Sequence, residues 1–85
     1  MNVFIPQPLI SYTDERCVTA TGKNVDGVLR DLDKQFTGIR FRIVDEQNHI
    51  RPHVRIFVDG EQEFNLQRNL IGEEELVIVQ ALSGG

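Results

Sequence analysis

An α+β fold, with one mixed sheet of four to five strands wrapping one main helix, is predicted by three features of this 85-residue sequence. Apolar residues recur at helical spacing at positions 25, 28, 29, 32 and 36. Short runs of alternating apolar and polar residues lie on both sides of that segment. The last of these runs, Leu76 to Leu82, stands directly before Ser83, Gly84 and Gly85. One amphipathic helix cannot bury its own stripe, so strands before and after it must supply the covering face.

Each element has its own local reason. Val3 to Pro6 alternates as a strand, with Val3 and Ile5 on one face and Phe4 on the other. Gln7 to Asp14 reads as a turn-rich connection, because Pro8 cannot sit inside a ladder. Arg16 to Thr21 is a second alternating run, with Val18 and Ala20 opposite Cys17, Thr19 and Thr21. The helix follows: Val28, Leu29, Leu32 and Phe36 lie 3, 4, 7 and 11 residues after Val25, one continuous stripe. Asn24 is placed to cap its N-terminus. Asp26 and Lys34 suit its two dipole ends, and Gly38 can take a left-handed cap. Gly27 is a weak point within it, costing about 1 kcal/mol relative to alanine.

Ile39 to Val44 alternates again and reads either as a third strand or as a short extension of the helix packing. Asp45 to His49 is a polar turn. His53 to Val58 is a strand with Val54, Ile56 and Val58 inward and His53, Arg55 and Phe57 outward, and Asp59-Gly60 after it is a hairpin signal. Phe64, Leu66, Leu70 and Ile71 are expected core anchors in the irregular stretch from 61 to 72. Glu73, Glu74 and Glu75 read as a solvated turn that blocks edge pairing. In the last strand Leu76 and Ile78 match the inward set, which leaves Val77 and Val79 outward. The order β, β, α, β, β with a sheet wrapping one helix is the β-grasp arrangement. Residues 1–82 form its single domain, and 83–85 a flexible tail.

Composition excludes several classes of function. Nine Lys and Arg against thirteen Asp and Glu give a net charge of −4, which opposes general binding to a phosphate backbone. No apolar run approaches the roughly 20 residues of a membrane span, and no secretory leader is visible. A single cysteine, Cys17, cannot form an internal disulfide, and a reducing cytoplasm is the simplest home. There is no phosphate-binding glycine loop and no Cys-x-x-Cys pair. His49 and His53 are separated by Pro52 and do not form a helical metal pair, so no metal site and no internal catalytic residue is expected.

The tail offers chemistry instead. Glycines have no side chain, so Gly84 and Gly85 can enter a slot little wider than a peptide and adopt angles closed to other residues. The Gly85 carboxylate is sterically open to attack. From Leu82 onward four extended residues reach about 13 Å.

On Val18 to Gly22, the helix residues Val28, Leu29, Leu32 and Phe36, Gly38-Ile39, Val54 to Gly60, Glu75 to Val79 and Ala81 to Gly85, the chain resembles the MoaD/ThiS family of ubiquitin-like sulfur carriers over nearly its whole length. The stretch from Val44 to Gly60 is longer than in thiamine-type carriers and is more similar to the molybdopterin and cysteine-synthesis types. The resemblance implies a carrier with no bound cofactor that is not itself an enzyme, a monomer when free or the small subunit of a sulfur-transfer complex. An E1-like adenylating and sulfurtransferase enzyme would use ATP and magnesium to adenylate Gly85. A sulfur donor would leave a thiocarboxylate there, and a sulfur-accepting biosynthetic enzyme would take the sulfur for cysteine, molybdopterin or another metabolite. Leu82, Ser83 and Gly84 would thread the enzyme's slot. Phe57, Val77, Val79 and Phe4, with Arg55 beside them, would form the docking patch on the open sheet face. Two other readings stay open: a protein modifier joined through Gly85 to lysines, and a plain β-grasp interaction module.

Overall fold

The computed structural model describes residues Met1 to Ala81. Its strands are β1 (Asn2–Phe4), β2 (Cys17–Thr19), β3 (Val54–Val58), β4 (Glu61–Gln62) and β5 (Leu76–Gln80), in the sheet order β2-β1-β5-β3-β4. The helices are α1 (Ile10–Thr13), α2 (Val25–Gln35) and α3 (Ile39–Ile43). The first and last strands lie side by side and parallel in the sheet, Val3 opposite Leu76 and Phe4 opposite Val77. The flanking pairs, β1 with β2 and β5 with β3, are antiparallel. This is the β-grasp arrangement expected from the element order.

The stripe of α2 is what the sheet encloses. Val25, Val28, Leu29 and Leu32 are buried with Val3, Val18, Val54, Ile56, Val58, Leu76 and Ile78 from the strands. Burying each such side chain stabilises the fold by about 1.5–3 kcal/mol before entropy is counted. Asn24 caps the helix as expected, its Oδ1 accepting from the Gly27 N–H at 2.7 Å. The start of α2 approaches the end of the β2 connection so closely that a Cβ on Gly22 would lie 2.3 Å from the Val28 nitrogen. Gly27 serves the same approach, since a Cβ there would come 3.1 Å from the capping Asn24 Oδ1. The weak point in the helix is thus a packing requirement. The C-terminal half of α2 also shields the edge strand β2 and its exit: Gln35 Nε2 donates to the Thr19 carbonyl and Asp31 accepts from the Thr21 N–H.

Three expectations are corrected and one open reading is decided. Of the two readings of Ile39 to Val44, the strand is absent and the helical one holds: Ile39–Ile43 is the helix α3, entered through Gly38 at φ +97°. Alternation at 39, 41 and 43 is equally an i, i+4 pair, and Ile39 and Ile43 are both fully buried while Phe41 is exposed. Asp33 Oδ1 accepts from the Gly38 and Arg40 N–H groups and so covers the start of α3. Gln7 to Asp14 is more ordered than a turn, a 3-10 turn at Gln7–Leu9 followed by α1, with Leu9 in the core. Of the four expected anchors between β4 and β5, Leu66 is buried and Leu70 half-buried, but Phe64 and Ile71 are 76% and 82% exposed. The Glu73 to Glu75 run is not uniformly solvated. Glu74 is buried, and its carboxylate accepts from the Ile71 and Gly72 N–H groups at 2.8–3.1 Å.

Two further contacts fix the loops. Asp59 and Gly60 both adopt positive φ, 49° and 85°, as the two-residue turn between β3 and β4 requires. Asp26 bridges Arg30 and Arg40 at 2.7 Å each, tying α2 to α3, and Arg40 reaches on to Asn48. Burial opposes ionisation of Asp26, but the hydrogen bonds from Arg30 and Arg40 outweigh it and hold the carboxyl below its ordinary value.

Replacing Gly22 with alanine should destabilise the domain by about 1–3 kcal/mol, read as a lower urea midpoint, because backbone on both sides must shift. The Glu74 carboxyl is also held below its ordinary value by the Ile71 and other backbone N–H groups. Its contribution is therefore complete above the unfolded glutamate value near 4.5 and is lost as pH falls through the folded one. Urea midpoints measured against pH should fall less steeply on the acid side in Glu74→Gln than in the unaltered chain.

Candidate functional site

The face of the sheet turned away from α2 is the first part of the site. Strand register places Cys17, Phe4, Val77, Phe57 and Gln62 opposite one another in a single row across all five strands. Val79 and Arg55 form part of the next row. The structure therefore brings Phe4, Phe57, Val77 and Val79 together on one face, as alternation predicts. Phe4, Val77 and Phe57 are half-buried and Val79 is 41% exposed. Phe4, Val77 and Val79 line a shallow groove of about 620 Å³ that continues over Pro6 and Pro8. Arg55 is adjacent to Val79 by register, but its Nη1 donates to the Pro52 and Val54 carbonyls at 2.5 and 3.1 Å. Its charge is turned along the strand edge and not over the apolar row.

The second part is the end of β5. Gln80 is the last strand residue, paired with Val54, and the Ala81 N–H donates to the His53 carbonyl at 2.9 Å. The Gln80 side-chain oxygen is buried and has no hydrogen-bond partner among the described residues. The carrier positions Leu82, Ser83, Gly84 and Gly85 lie outside the described residues. They follow a strand held by β3 along its length and by β1 at Leu76 and Val77.

Sequence reasoning missed a set of basic side chains gathered at this point. Arg42 from α3, with Arg51 and His53 from the segment before β3, lines a recess of about 300 Å³ with Phe41, Leu9 and Gln80. Arg51 lies over the Phe41 ring, 4.5 Å from its centre, and its Nε donates to the Phe41 carbonyl at 2.7 Å. Arg42 Nε donates to the Tyr12 hydroxyl at 2.9 Å. Spacing along the chain carries no signal of this cluster, because Arg42 on α3 and Arg51 and His53 before β3 meet only when α3 packs.

Other candidates stay apart from both places or lack chemistry. His49 is exposed, 3.8 Å from Asp45, and no group of three or more His, Cys, Asp or Glu could hold a metal ion among the described residues. Cys17 is partly exposed beside Phe4. No described helix is long and apolar enough to cross a membrane.

No protein-family model matches the sequence, and no curated protein matches it significantly. Solved structures do. A chain of the Amycolatopsis orientalis BexX/CysO complex is 27% identical with a TM-score of 0.89, the match covering 99% of this chain and 98% of that one. Mycobacterium tuberculosis CysO is 25% identical with a TM-score of 0.88, covering 95% and 98%. SAMP1 of Haloferax volcanii, at 20% identity and a TM-score of 0.80 over 100% and 98%, shares the fold.

Proposed function

We propose that this chain, a ubiquitin-like β-grasp protein of the MoaD/ThiS type, is a sulfur carrier whose working group is the Gly85 carboxylate. The single observation that carries the reading is the position of β5. The strand that leads into Leu82, Ser83, Gly84 and Gly85 lies inside the sheet, paired with β3 along its whole length and with β1 at Leu76 and Val77, and runs beside the apolar outward face. Residues 1–82 then act as the body and 83–85 as the tail.

The chemistry needs activation from outside. A carboxylate is a poor electrophile because its negative charge repels a nucleophile and oxide is a poor leaving group. In an E1-like enzyme, a Gly85 oxygen attacks the α-phosphorus of ATP and pyrophosphate leaves, magnesium neutralising the phosphates. A sulfide-level donor (HS−) then attacks the acyl carbon, the bond from that carbon to the AMP oxygen breaks, AMP departs, and the sulfur stays on Gly85 as a thiocarboxylate with no change of oxidation state. A sulfur-accepting biosynthetic enzyme finally takes that sulfur. ATP and magnesium belong to the activating enzyme, and the carrier acts as its co-substrate. The association of CysO with BexX in one complex supports a carrier that works docked on a partner protein. The lone thiol of Cys17 suits a reducing cytoplasm.

Docking falls to the outward sheet face. Phe4, Phe57, Val77 and Val79 form a contiguous patch whose burial provides affinity, and Arg55 borders it. Ser83, Gly84 and Leu82 then thread the slot, where absent side chains avoid steric conflict.

Incubating the chain with its adenylating enzyme, ATP, magnesium and a sulfide source should add the mass difference of one sulfur for one oxygen, confined to the C-terminal peptide. Deleting Gly85 should abolish the gain. Conjugates to lysine in place of that product would favour the modifier reading. Phe57→Asp should weaken binding to the adenylating enzyme at least tenfold by calorimetry, with an unchanged circular dichroism spectrum because Phe57 lies outside the core.

A further inference from the structure

Resting on the carrier reading, we propose that the basic recess at the end of β5 is a second docking element, which meets a carboxylate-lined rim around the partner's tail slot. The recess is lined by Arg42, Arg51 and His53, and by no Asp or Glu among the described residues. This runs against the chain's net charge of −4. The carboxylates collect at the far end of the same strand, where Asp59, Glu61, Glu73 and Glu75 are all exposed around the β3–β4 turn and the entry to β5. Five strand residues separate the ends by about 17 Å. That is twice the Debye length of about 8 Å at physiological ionic strength. The acidic end therefore does not cancel the field of the basic one; Asp45, whose carboxyl feels Arg51, is the acid nearest the recess but does not line it.

The two arginines are held ready for carboxylates. Each is anchored through Nε alone, Arg42 to the Tyr12 hydroxyl and Arg51 to the Phe41 carbonyl. Their terminal nitrogens make no hydrogen bond among the described residues. An oriented guanidinium with two free NH₂ groups is the donor fork that a carboxylate accepts in bidentate fashion. Arg40 supplies the contrast: its fork is consumed by Asp26 and Asn48. Anchoring also lowers the ordering entropy that a flexible cation loses on binding.

Reach assigns the role. Four residues after Ala81 span at most about 14 Å when extended, so in the proposed complex the recess would face the rim of the slot and not the reacting carboxylate at its bottom. It positions the carrier on the rim and takes no part in acyl transfer. Its loss should appear in KM and in salt dependence, with kcat unchanged.

The test is ATP–pyrophosphate exchange by the adenylating enzyme with the full chain as co-substrate. Arg42→Glu should raise KM for the carrier about tenfold with kcat preserved, and Arg42→Glu with His53→Glu should raise it further. Lys34→Glu, an equal charge change on the exposed side of α2, should leave KM within about twofold. KM for the unaltered chain should climb with sodium chloride, and the climb should flatten in Arg42→Glu. Arg42→Lys, which keeps charge without the fork, should fall between. Equal KM values for Arg42→Glu and Lys34→Glu, with equal salt dependence, would overturn the recess proposal while Gly85-dependent exchange upheld the carrier. Absence of Gly85-dependent exchange in the unaltered chain would overturn both.

Discussion

The stripe of Val25, Val28, Leu29 and Leu32 has to leave water, and the inner face of the sheet is the surface that receives it. That one contact organises the molecule. To cover an eleven-residue helix, strands from both ends of the chain must share a sheet. The first and last therefore become neighbours, Val3 beside Leu76. Because the helix occupies one face only, the opposite face is left to Phe4, Phe57, Val77 and Val79. The strand that ends at Gln80 emerges from the middle of the sheet, beside that face.

This geometry suits a protein whose chemistry takes place in another protein's active site. The body contributes surfaces and a fixed point of departure. Small polar devices fix the loops of the body: Glu74 gathers the Ile71 and Gly72 amides, Asp33 covers the start of α3, and Asp26 links α2 to Arg40. Each is a carboxylate satisfied by donors from a different part of the chain or loop, so each converts burial of charge into local order.

Legibility in the sequence followed the range of the interaction. The α2 helix, its Asn24 cap and the Asp59-Gly60 turn depend on neighbours within a few residues, and periodicity and turn chemistry expose them. The same holds for the inward and outward sets of β3 and β5, which follow from a period of two. Ile39 to Ile43 was ambiguous because five residues satisfy both periods, and the choice lies with Asp33 and the core beneath. Phe64 and Ile71 were misread because hydrophobicity reports a preference for burial and not the available space. Glu74 was misread because a run of three acids carries no sign of which one meets a cradle of amides.

Residues and their spacing by themselves determined the fold class, the main helix and the apolar outward set. Those are consequences of periodicity and of side-chain size, which any window of the sequence carries. Tertiary structure alone decided that Cys17, Phe4, Val77, Phe57 and Gln62 share one row, and that Arg42, Arg51 and His53 converge at the end of β5. Both depend on strand register and on the placement of α3, which arise from contacts between residues far apart in the chain.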